Sequence, residues 1–157
     1  MTGYSPTITT VAANKITWSL YRPGTGIAWI LKHNSDGTFS DIYWQGQSST
    51  GYGLGSSPNF DYDLSSTADR GFAFDYDSSG KQDHLAFYRP GASIFWAFQN
   101  SGGIFSAVYA TNTGVGVQPN PTYDLTSPAD QIFPFDWDGS GKQDHLVLYR
   151  PGTGIFG

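Results

Sequence analysis

The stretch DYDSSGKQDHLAFYRPG, residues 75–91, returns as DWDGSGKQDHLVLYRPG at residues 136–152. The two copies lie 61 positions apart, and the Tyr-Asp-Leu and Ala-Asp segments that precede them recur at the same spacing. The second copy therefore contains no insertion or deletion relative to the first. Self-similarity at a fixed period is the sequence signature of a repeat architecture, in which each copy forms one supersecondary unit.

An earlier, more divergent copy lies upstream. LYRPGTGIAWILKHNSDGTFSDIYW, residues 20–44, matches FYRPGASIFWAFQNSGGIFSAVYA, residues 87–110, at an offset of 67 and then of 66. The chain therefore consists of three consecutive repeat units that form a single segment, and the third unit is truncated. Their approximate bounds are residues 5–61, 62–122 and 123–157.

Each unit is predicted to form four short antiparallel strands. In the second unit these are residues 70–76, 84–89, 93–98 and 104–109, separated by an Asp-rich loop, a Pro-Gly turn and the segment QNSGG. Runs of aromatic and β-branched residues broken by such segments are strand and turn signals. Four-stranded antiparallel units in series are typical of propeller blades. The sequence thus predicts an all-β chain, a single β-propeller segment of about two and a half blades.

An incomplete ring of blades leaves one sheet face and one strand edge uncovered. Closed propellers have about 4–8 blades, and an unpaired edge is an aggregation liability. We therefore expect homo-oligomerisation to complete the ring. Two copies, which would supply about five blades, are favoured over three, which would supply about seven. The alternatives are a fragment of a longer protein and a monomeric open stack of sheets.

Composition limits the classes of function. The 157 residues include 11 Phe, 10 Tyr, 5 Trp and 20 Gly but no Cys, and the net charge is −5. The lack of Cys excludes disulfides and thiolate chemistry, and an acidic chain with scattered basic residues is not suited to nucleic acid. No apolar run is long enough for membrane insertion. The first 15 residues lack the features of a secretory signal, which predicts a cytoplasmic or non-classically released protein.

The Asp-rich loop has two interpretations. Residues 75–83 place Asp, Asp, Ser, Gly and Asp at positions 1, 3, 5, 6 and 9 of a calcium-binding loop, and residues 136–144 repeat this pattern. Position 12, where a bidentate Glu would bind the ion, is Ala86 or Val147. In the alternative, the Asp side chains accept hydrogen bonds from backbone N–H groups and hold the turn. We predict no resident cofactor, with calcium in these loops as the alternative.

The phrase KQDHL-x-x-YRPG, preceded by YDL and AD, resembles the FG-GAP repeat of integrin-type propellers. It is more similar to the propeller lectins and insecticidal-toxin-associated proteins of the Photorhabdus lectin type, and distantly similar to the GlcNAc-binding propeller lectin of a mushroom. The similarity covers most of residues 20–156. It implies carbohydrate binding, often of fucose or N-acetylhexosamine, in shallow sites between neighbouring blades.

The candidate sugar-contacting residues are repeated aromatic, Arg and Asp side chains. Sugars present apolar C–H faces that stack on aromatic rings, and hydroxyls that suit planar partners such as carboxylates and guanidinium groups. No metal site is included in this set. The predicted contacts are Trp29, Trp96, Arg22, Arg89, Arg150, Tyr62, Tyr123, Asp69 and Asp130.

Each of these contacts has a structural alternative. The repeated Trp side chains can instead pack between neighbouring blades, and the repeated Arg side chains can pair with an Asp carboxylate of the loop. Trp18, Trp44 and Trp137 have no Trp at the equivalent positions of the other units. They are therefore candidates for specific contacts or for an oligomer interface.

Repetition of the acidic residues favours binding over catalysis. Glycoside hydrolysis needs one unique pair of carboxyl groups with different pKa values, whereas several weak sites on a rigid ring gain avidity. Together with the resemblance, the repetition predicts a non-enzymatic lectin that binds glycans multivalently, and the resemblance implies the fucose or N-acetylhexosamine class of ligand. The alternative is a structural or interaction propeller module without sugar affinity, either toxin-associated or engineered.

Overall fold

The structure, a computed structural model, describes residues 17–45, 62–101, 104–111 and 124–156. These ranges contain ten β-strands, all paired antiparallel, and no helix that could cross a membrane. The prediction of an all-β antiparallel chain is confirmed. The strands are β1 (Thr17–Arg22), β2 (Ile27–His33), β3 (Phe39–Gln45), β4 (Arg70–Phe74), β5 (His84–Arg89), β6 (Ile94–Ser101), β7 (Ile104–Ala110), β8 (Gln131–Phe135), β9 (His145–Arg150) and β10 (Ile155–Phe156).

The strands form three sheets, one in each sequence unit. The first sheet has the order β1-β2-β3, the second β4-β5-β6-β7 and the third β10-β9-β8. Consecutive strands pair in every sheet, so each sheet is an antiparallel meander. The second unit has the four strands predicted for it. Its first strand ends at Phe74 instead of Tyr76 because Asp75 begins the Asp-rich loop, and its third continues to Ser101.

A β-bulge recurs at the same place in two sheets. The pairing of β2 with β3 shifts register between Ile30 and Leu31, and the pairing of β6 with β7 shifts between Ala97 and Phe98. These residues are equivalent in the sequence repeat. Because a bulge bends its strand and increases the local twist, the first and second sheets share this detail of their shape.

The second sheet is packed between the other two. One of its faces buries Phe87, Trp96 and Phe98 together with Ala28 and Ile30 of the first sheet. Because both faces are covered, β5 is buried continuously from its first residue to its fifth. The opposite face carries Phe72, Phe74, Tyr88 and Phe95, which pack with Ile132, Leu146 and Leu148 of the third sheet.

A backbone clamp joins the first sheet to the second. The segment that leads into the second sheet, residues 62–69, is called the connector here. The N–H groups of Gly24 and Gly26, in the turn after β1, both donate to the carbonyl oxygen of Leu64 in this connector, at 3.1 Å each. A single carbonyl with two lone pairs thus satisfies two donors of the preceding sheet.

The same clamp recurs between the second and third sheets. Gly91 and Ser93 donate to the carbonyl of Leu125, in the third unit's connector, at 2.9 and 3.2 Å. Leu64 and Leu125 both have positive φ, 46° and 51°, a backbone conformation that costs a non-glycine residue about 1–2 kcal/mol. Their side chains are buried at 0% and 4% exposure, so burial and the paired hydrogen bonds offset that cost.

Replacing Gly24 by Ala tests how closely the clamp is packed. A Cβ at Gly24 would lie 2.8 Å from Cγ2 of Thr67, whereas one at Gly152, the equivalent residue of the third unit, would meet nothing within 4 Å. Both residues have φ of +80°, so both substitutions carry a conformational cost of about 1–2 kcal/mol. The clash adds about 1–3 kcal/mol at Gly24 only.

We therefore expect Gly24→Ala to lower the free energy of unfolding clearly more than Gly152→Ala. Urea unfolding of the two variants beside the unchanged chain measures the difference. Equal losses for both variants would contradict the clamp.

Candidate functional site

Three of the predicted sugar contacts meet in one hydrogen-bonded cluster. The Tyr62 hydroxyl donates to Oδ1 of Asp69 at 2.7 Å. Arg89 donates to both oxygens of the same carboxylate, from Nε to Oδ1 at 2.8 Å and from Nη2 to Oδ2 at 3.2 Å. Nη2 of Arg89 also donates to Oδ1 of Asp63 at 2.6 Å. The planar guanidinium is therefore held by two carboxylates. The alternative for this Arg was an Asp partner in the loop, and the two partners lie in the connector instead.

The connector folds locally in a way that presents these carboxylates. Asp63 Oδ1 accepts the N–H of Ser65 at 3.0 Å, and Asp69 Oδ2 accepts the N–H of Ser66 at 2.9 Å. Asp side chains that bond to nearby backbone N–H groups stabilise turns of this kind. Hydrogen bonds within the sequence DLSSTAD thus position both carboxylates independently of their bonds to Arg89.

The cluster is repeated in the third unit. Arg150 donates to Oδ1 and Oδ2 of Asp130 at 2.7 and 2.9 Å, and to Oδ1 of Asp124 at 2.5 Å. Asp130 is buried, as Asp69 is. Tyr123, the predicted partner in this unit, lies outside the described residues. Arg22, the predicted contact in the first unit, is exposed.

The electrostatics of the clusters keep these groups in fixed charge states at neutral pH. The backbone N–H of Thr126, followed by Arg150, lowers the pKa of Asp124 to about 2. Burial, followed by the bond to Asp69, raises the pKa of the Tyr62 hydroxyl well above its ordinary value. Hydrogen bonds to Asp69 raise the pKa of Arg89. Asp63, whose pKa is also lowered, Asp124 and the two Arg side chains are therefore ionised, and Tyr62 is neutral.

The two aligned Trp side chains have different surroundings. Trp96 is 3% exposed and lies edge-on to Tyr62, with ring centroids 6.1 Å apart, whereas Trp29 is 40% exposed. Alternate residues of a strand point to opposite faces. Since Ala28 and Ile30 face the second sheet, Trp29 lies on the other face of the first sheet. Trp96 therefore packs between sheets, which was the structural alternative to sugar contact for the repeated Trp, whereas in the described ranges Trp29 does not.

The Asp-rich loops are held by their own carboxylates. Asp75 is fully buried, and its oxygens accept the N–H groups of Ser79 and Gly80 at 2.8 and 2.6 Å. Asp136 accepts the equivalent two bonds in the third unit, at 3.0 and 2.7 Å. In both loops the Asp carboxylates thus accept hydrogen bonds from backbone N–H groups and hold the turn, as in the alternative to calcium binding. No group of three or more His, Cys, Asp or Glu side chains placed to hold a metal ion occurs in the described ranges.

The Asp-rich loop of the second unit contacts the third unit. Ser78 Oγ donates to Asp144 Oδ2 at 2.7 Å, and the N–H of Asp75 donates to the carbonyl oxygen of Gln143 at 3.0 Å. The Gln82 and Gln143 side-chain amides are also hydrogen-bonded. The loop therefore lies across the junction between two sheets.

An exposed aromatic ring stands in the same place in both loops. Tyr76 is 43% exposed and Trp137 is 72% exposed, and each lies between the first two Asp residues of its loop. Trp137 has no Trp counterpart in the other units, but Tyr76 of the second unit is aromatic and lies at the equivalent position. The segments DYD and DWD are the signal for this pair, because each has an aromatic residue between two Asp residues, although the residue is Tyr in one and Trp in the other.

The buried carboxylate of the first cluster tests how much the ion pair stabilises the fold. Asp69→Asn keeps the shape but leaves Arg89 without its buried counter-charge, and breaking a buried pair costs about 3–5 kcal/mol. Asp63→Asn is the matched control, because this carboxylate is exposed and such pairs contribute less than about 1 kcal/mol. Chemical unfolding measures both. Similar small losses would show that the cluster is not a structural element.

The pH dependence of stability follows from the lowered carboxyl pKa values. A carboxyl whose folded pKa lies below the unfolded value of about 3.9 contributes stability that is present above that pH. That contribution is lost as the pH falls through the folded value, which is about 2 for Asp124. The groups with lowered pKa are Asp36, Asp63, Asp77, Asp124, Asp138 and Asp144.

We therefore expect a nearly constant melting temperature between about pH 5 and 7 and a progressive fall from about pH 4 to 2. Thermal unfolding followed by circular dichroism checks this. A melting temperature that rises on acidification to pH 3 would contradict the assigned hydrogen bonds.

Comparison of the chain with models of protein families, with curated proteins and with solved structures gives no match. The resemblance to FG-GAP-like propeller lectins therefore stays an expectation from the sequence phrases that carry it.

Proposed function

We propose that the chain is a carbohydrate-binding, lectin-like module whose sheets are blades of a propeller. Three meander sheets stacked face to face, with the same clamp at both junctions, support the blade arrangement. β4 and β8, the first strands of their units, also run close to each other. Convergence of first strands is expected where blades radiate from a common axis.

The observation that carries the sugar-binding proposal is the exposed aromatic ring between two carboxylates, repeated at Tyr76 and Trp137. An exposed ring offers a stacking surface for the C–H face of a sugar, and a neighbouring carboxylate accepts hydroxyl hydrogen bonds. Asp77 and Asp138, the exposed acids beside these rings, suit that role. Because buried Asp75 fixes its loop internally, little ordering cost accompanies binding.

The other repeated residues have a supporting role in this proposal. The polar groups of Tyr62, Asp69 and Arg89 bond to one another, and Trp96 is buried between sheets. They hold the junction between the first and second sheets, whereas the Asp-rich loop of the second unit lies across the junction between the second and third. The sugar site is therefore assigned to the loop, at the junction of two units.

Repetition gives the proposal its multivalent character. Two equivalent rings on a rigid frame can engage one glycan surface together, and avidity of this kind increases apparent affinity by about 10²–10⁴. The acids beside the rings recur in the same environment, whereas catalysis needs one pair whose pKa values differ. The proposed ligands are glycans of the fucose or N-acetylhexosamine class, which the sequence similarity implies.

A second candidate is a structural or interaction module without sugar affinity. The observation that favours it is the complete use of the Tyr62–Asp69–Arg89 cluster within the fold. Repeated polar residues of this kind need no ligand to account for them. In this alternative the exposed loop rings contact protein instead of sugar.

A glycan array with fluorescently labelled protein tests the proposal, followed by titration with fucose and N-acetylglucosamine. We expect Trp137→Ala and Tyr76→Ala each to weaken binding about tenfold, since an aromatic contact contributes about 0.5–1.5 kcal/mol beyond its buried area. Trp137→Tyr retains a ring and should bind nearly normally. Asp36→Asn alters an exposed carboxylate outside the loops and should have no effect. Failure of every saccharide to bind at high valency would remove the sugar-binding proposal and leave the interaction module.

A further inference from the structure

The outward face of the first sheet carries aromatic residues whose equivalents are buried inside the stack. Trp29 and Phe39 are 40% and 48% exposed. In the second sheet the equivalent Trp96 and Phe105 are 3% and 7% exposed, because they pack against the first sheet. The same two positions are therefore buried where a preceding sheet is present and exposed in the first sheet, before which the described residues contain no other sheet.

The outward face of the third sheet shows the converse. Phe133 and Phe135 are 40% and 42% exposed. In the second sheet the equivalent Phe72 and Phe74 pack together with Leu146 of the following sheet, and Phe74 is only 4% exposed. These positions are therefore buried where a following sheet is present.

The turn of the third unit also lies open. A Cβ placed on Gly152 or Gly154 would meet no atom within 4 Å, whereas at Gly24 it would touch Thr67 and at Gly91 it would lie 3.5 Å from Pro128. In the described ranges, no connector lies against this third turn as one does against the other two. The third sheet is therefore an exposed end of the stack on its turn side as well.

We propose that the outward face of the third sheet in one copy of this chain packs on the outward face of the first sheet in a second copy. The partner is this chain itself, because its two end faces are the two halves of the junction that its sheets already form internally. The contact is head-to-tail, since the two faces differ, and such contacts close into rings or extend as filaments. The inference rests on the blade arrangement in the proposed function but not on sugar binding.

The internal junction indicates which contacts this interface would contain. Tyr88 accepts the N–H of Ile132 across the second junction at 3.2 Å, and Tyr149 is its equivalent on the outward face of the third sheet. There the ring of Tyr149 lies edge-on to Phe133, with centroids 6.0 Å apart. An aromatic surface is thus presented to the second copy, where it would lie against Trp29 and Phe39.

Association is expected to depend on concentration. The internal junctions have a connector clamp in addition to apolar contact, whereas the proposed interface relies on the two faces. Aromatic residues at the centre of an interface commonly contribute most of its affinity. A charge at any of these positions should therefore separate the copies without disturbing the sheet that carries it, because the side chain is half-exposed in the single chain.

Light scattering on a size-exclusion column, at a series of protein concentrations, tests the inference. The unchanged chain should give a mass that is a multiple of 17.1 kDa and that falls on dilution. Phe135→Glu and Trp29→Glu should each run as a monomer at every concentration. An equimolar mixture of the two should give a dimer, because each variant keeps the face that the other has lost. Phe133→Glu and Phe39→Glu repeat the pair if circular dichroism shows that either first variant is unfolded.

Other results would overturn the inference. A monomeric unchanged chain at the highest soluble concentration would mean that these faces are covered by something other than this chain. A single variant that keeps the parental mass would exclude its face from the interface, and a mixture that stays monomeric would exclude head-to-tail pairing. Trp137→Ala separates the two proposals, since it should weaken sugar binding and keep the oligomer.

Discussion

The structure depends on one short connector that is bonded to two sheets at once. The carbonyl of Leu64 or Leu125 accepts two N–H groups from the turn of the preceding sheet. A few residues later, the carboxylate of Asp69 or Asp130 accepts two hydrogen bonds from an Arg of the following sheet. The spacing between consecutive sheets is therefore set by backbone geometry and by a buried ion pair, and apolar side chains then fill the space between them. Leu64 and Leu125 have positive φ in the segment that makes both sets of bonds.

This use of the repeated residues decides what remains for function. A guanidinium held by two carboxylates and a Tyr hydroxyl already bonded to one of them have few groups to offer a ligand. The groups that face solvent lie instead in the Asp-rich loops, where Tyr76 and Trp137 stand beside exposed acids, and on the two end faces of the stack. The proposed ligand binding and the proposed self-association therefore involve different surfaces, so each can be altered separately.

Much of the fold could be predicted from the sequence because the repeat consists of residues with strong local preferences for turns or for strands. Turn residues (Gly, Pro and Asp) separate the aromatic-rich segments at a fixed period. This pattern predicted the antiparallel all-β class and the four strands of the second unit. The different burial of Trp29 and Trp96 could not be predicted, because their sequence environments match and only the position of each sheet in the stack distinguishes them. The positive φ of Leu64 had no signal either, since leucine does not favour that conformation. Tyr76 is absent from the predicted contacts because the residue at its equivalent position, Trp137, is aromatic but not identical.

Amide hydrogen exchange at the three equivalent turns, residues 22–26, 89–93 and 150–154, tests the clamp most directly. The account predicts slow exchange at four amides, which open only when the sheets separate, and fast exchange at the two amides of the third turn, which no connector covers in the described structure. Uniformly fast exchange at all three turns, or equal protection of the third, would contradict the central role of the connector. The amides are those of Gly24, Gly26, Gly91 and Ser93, against Gly152 and Gly154.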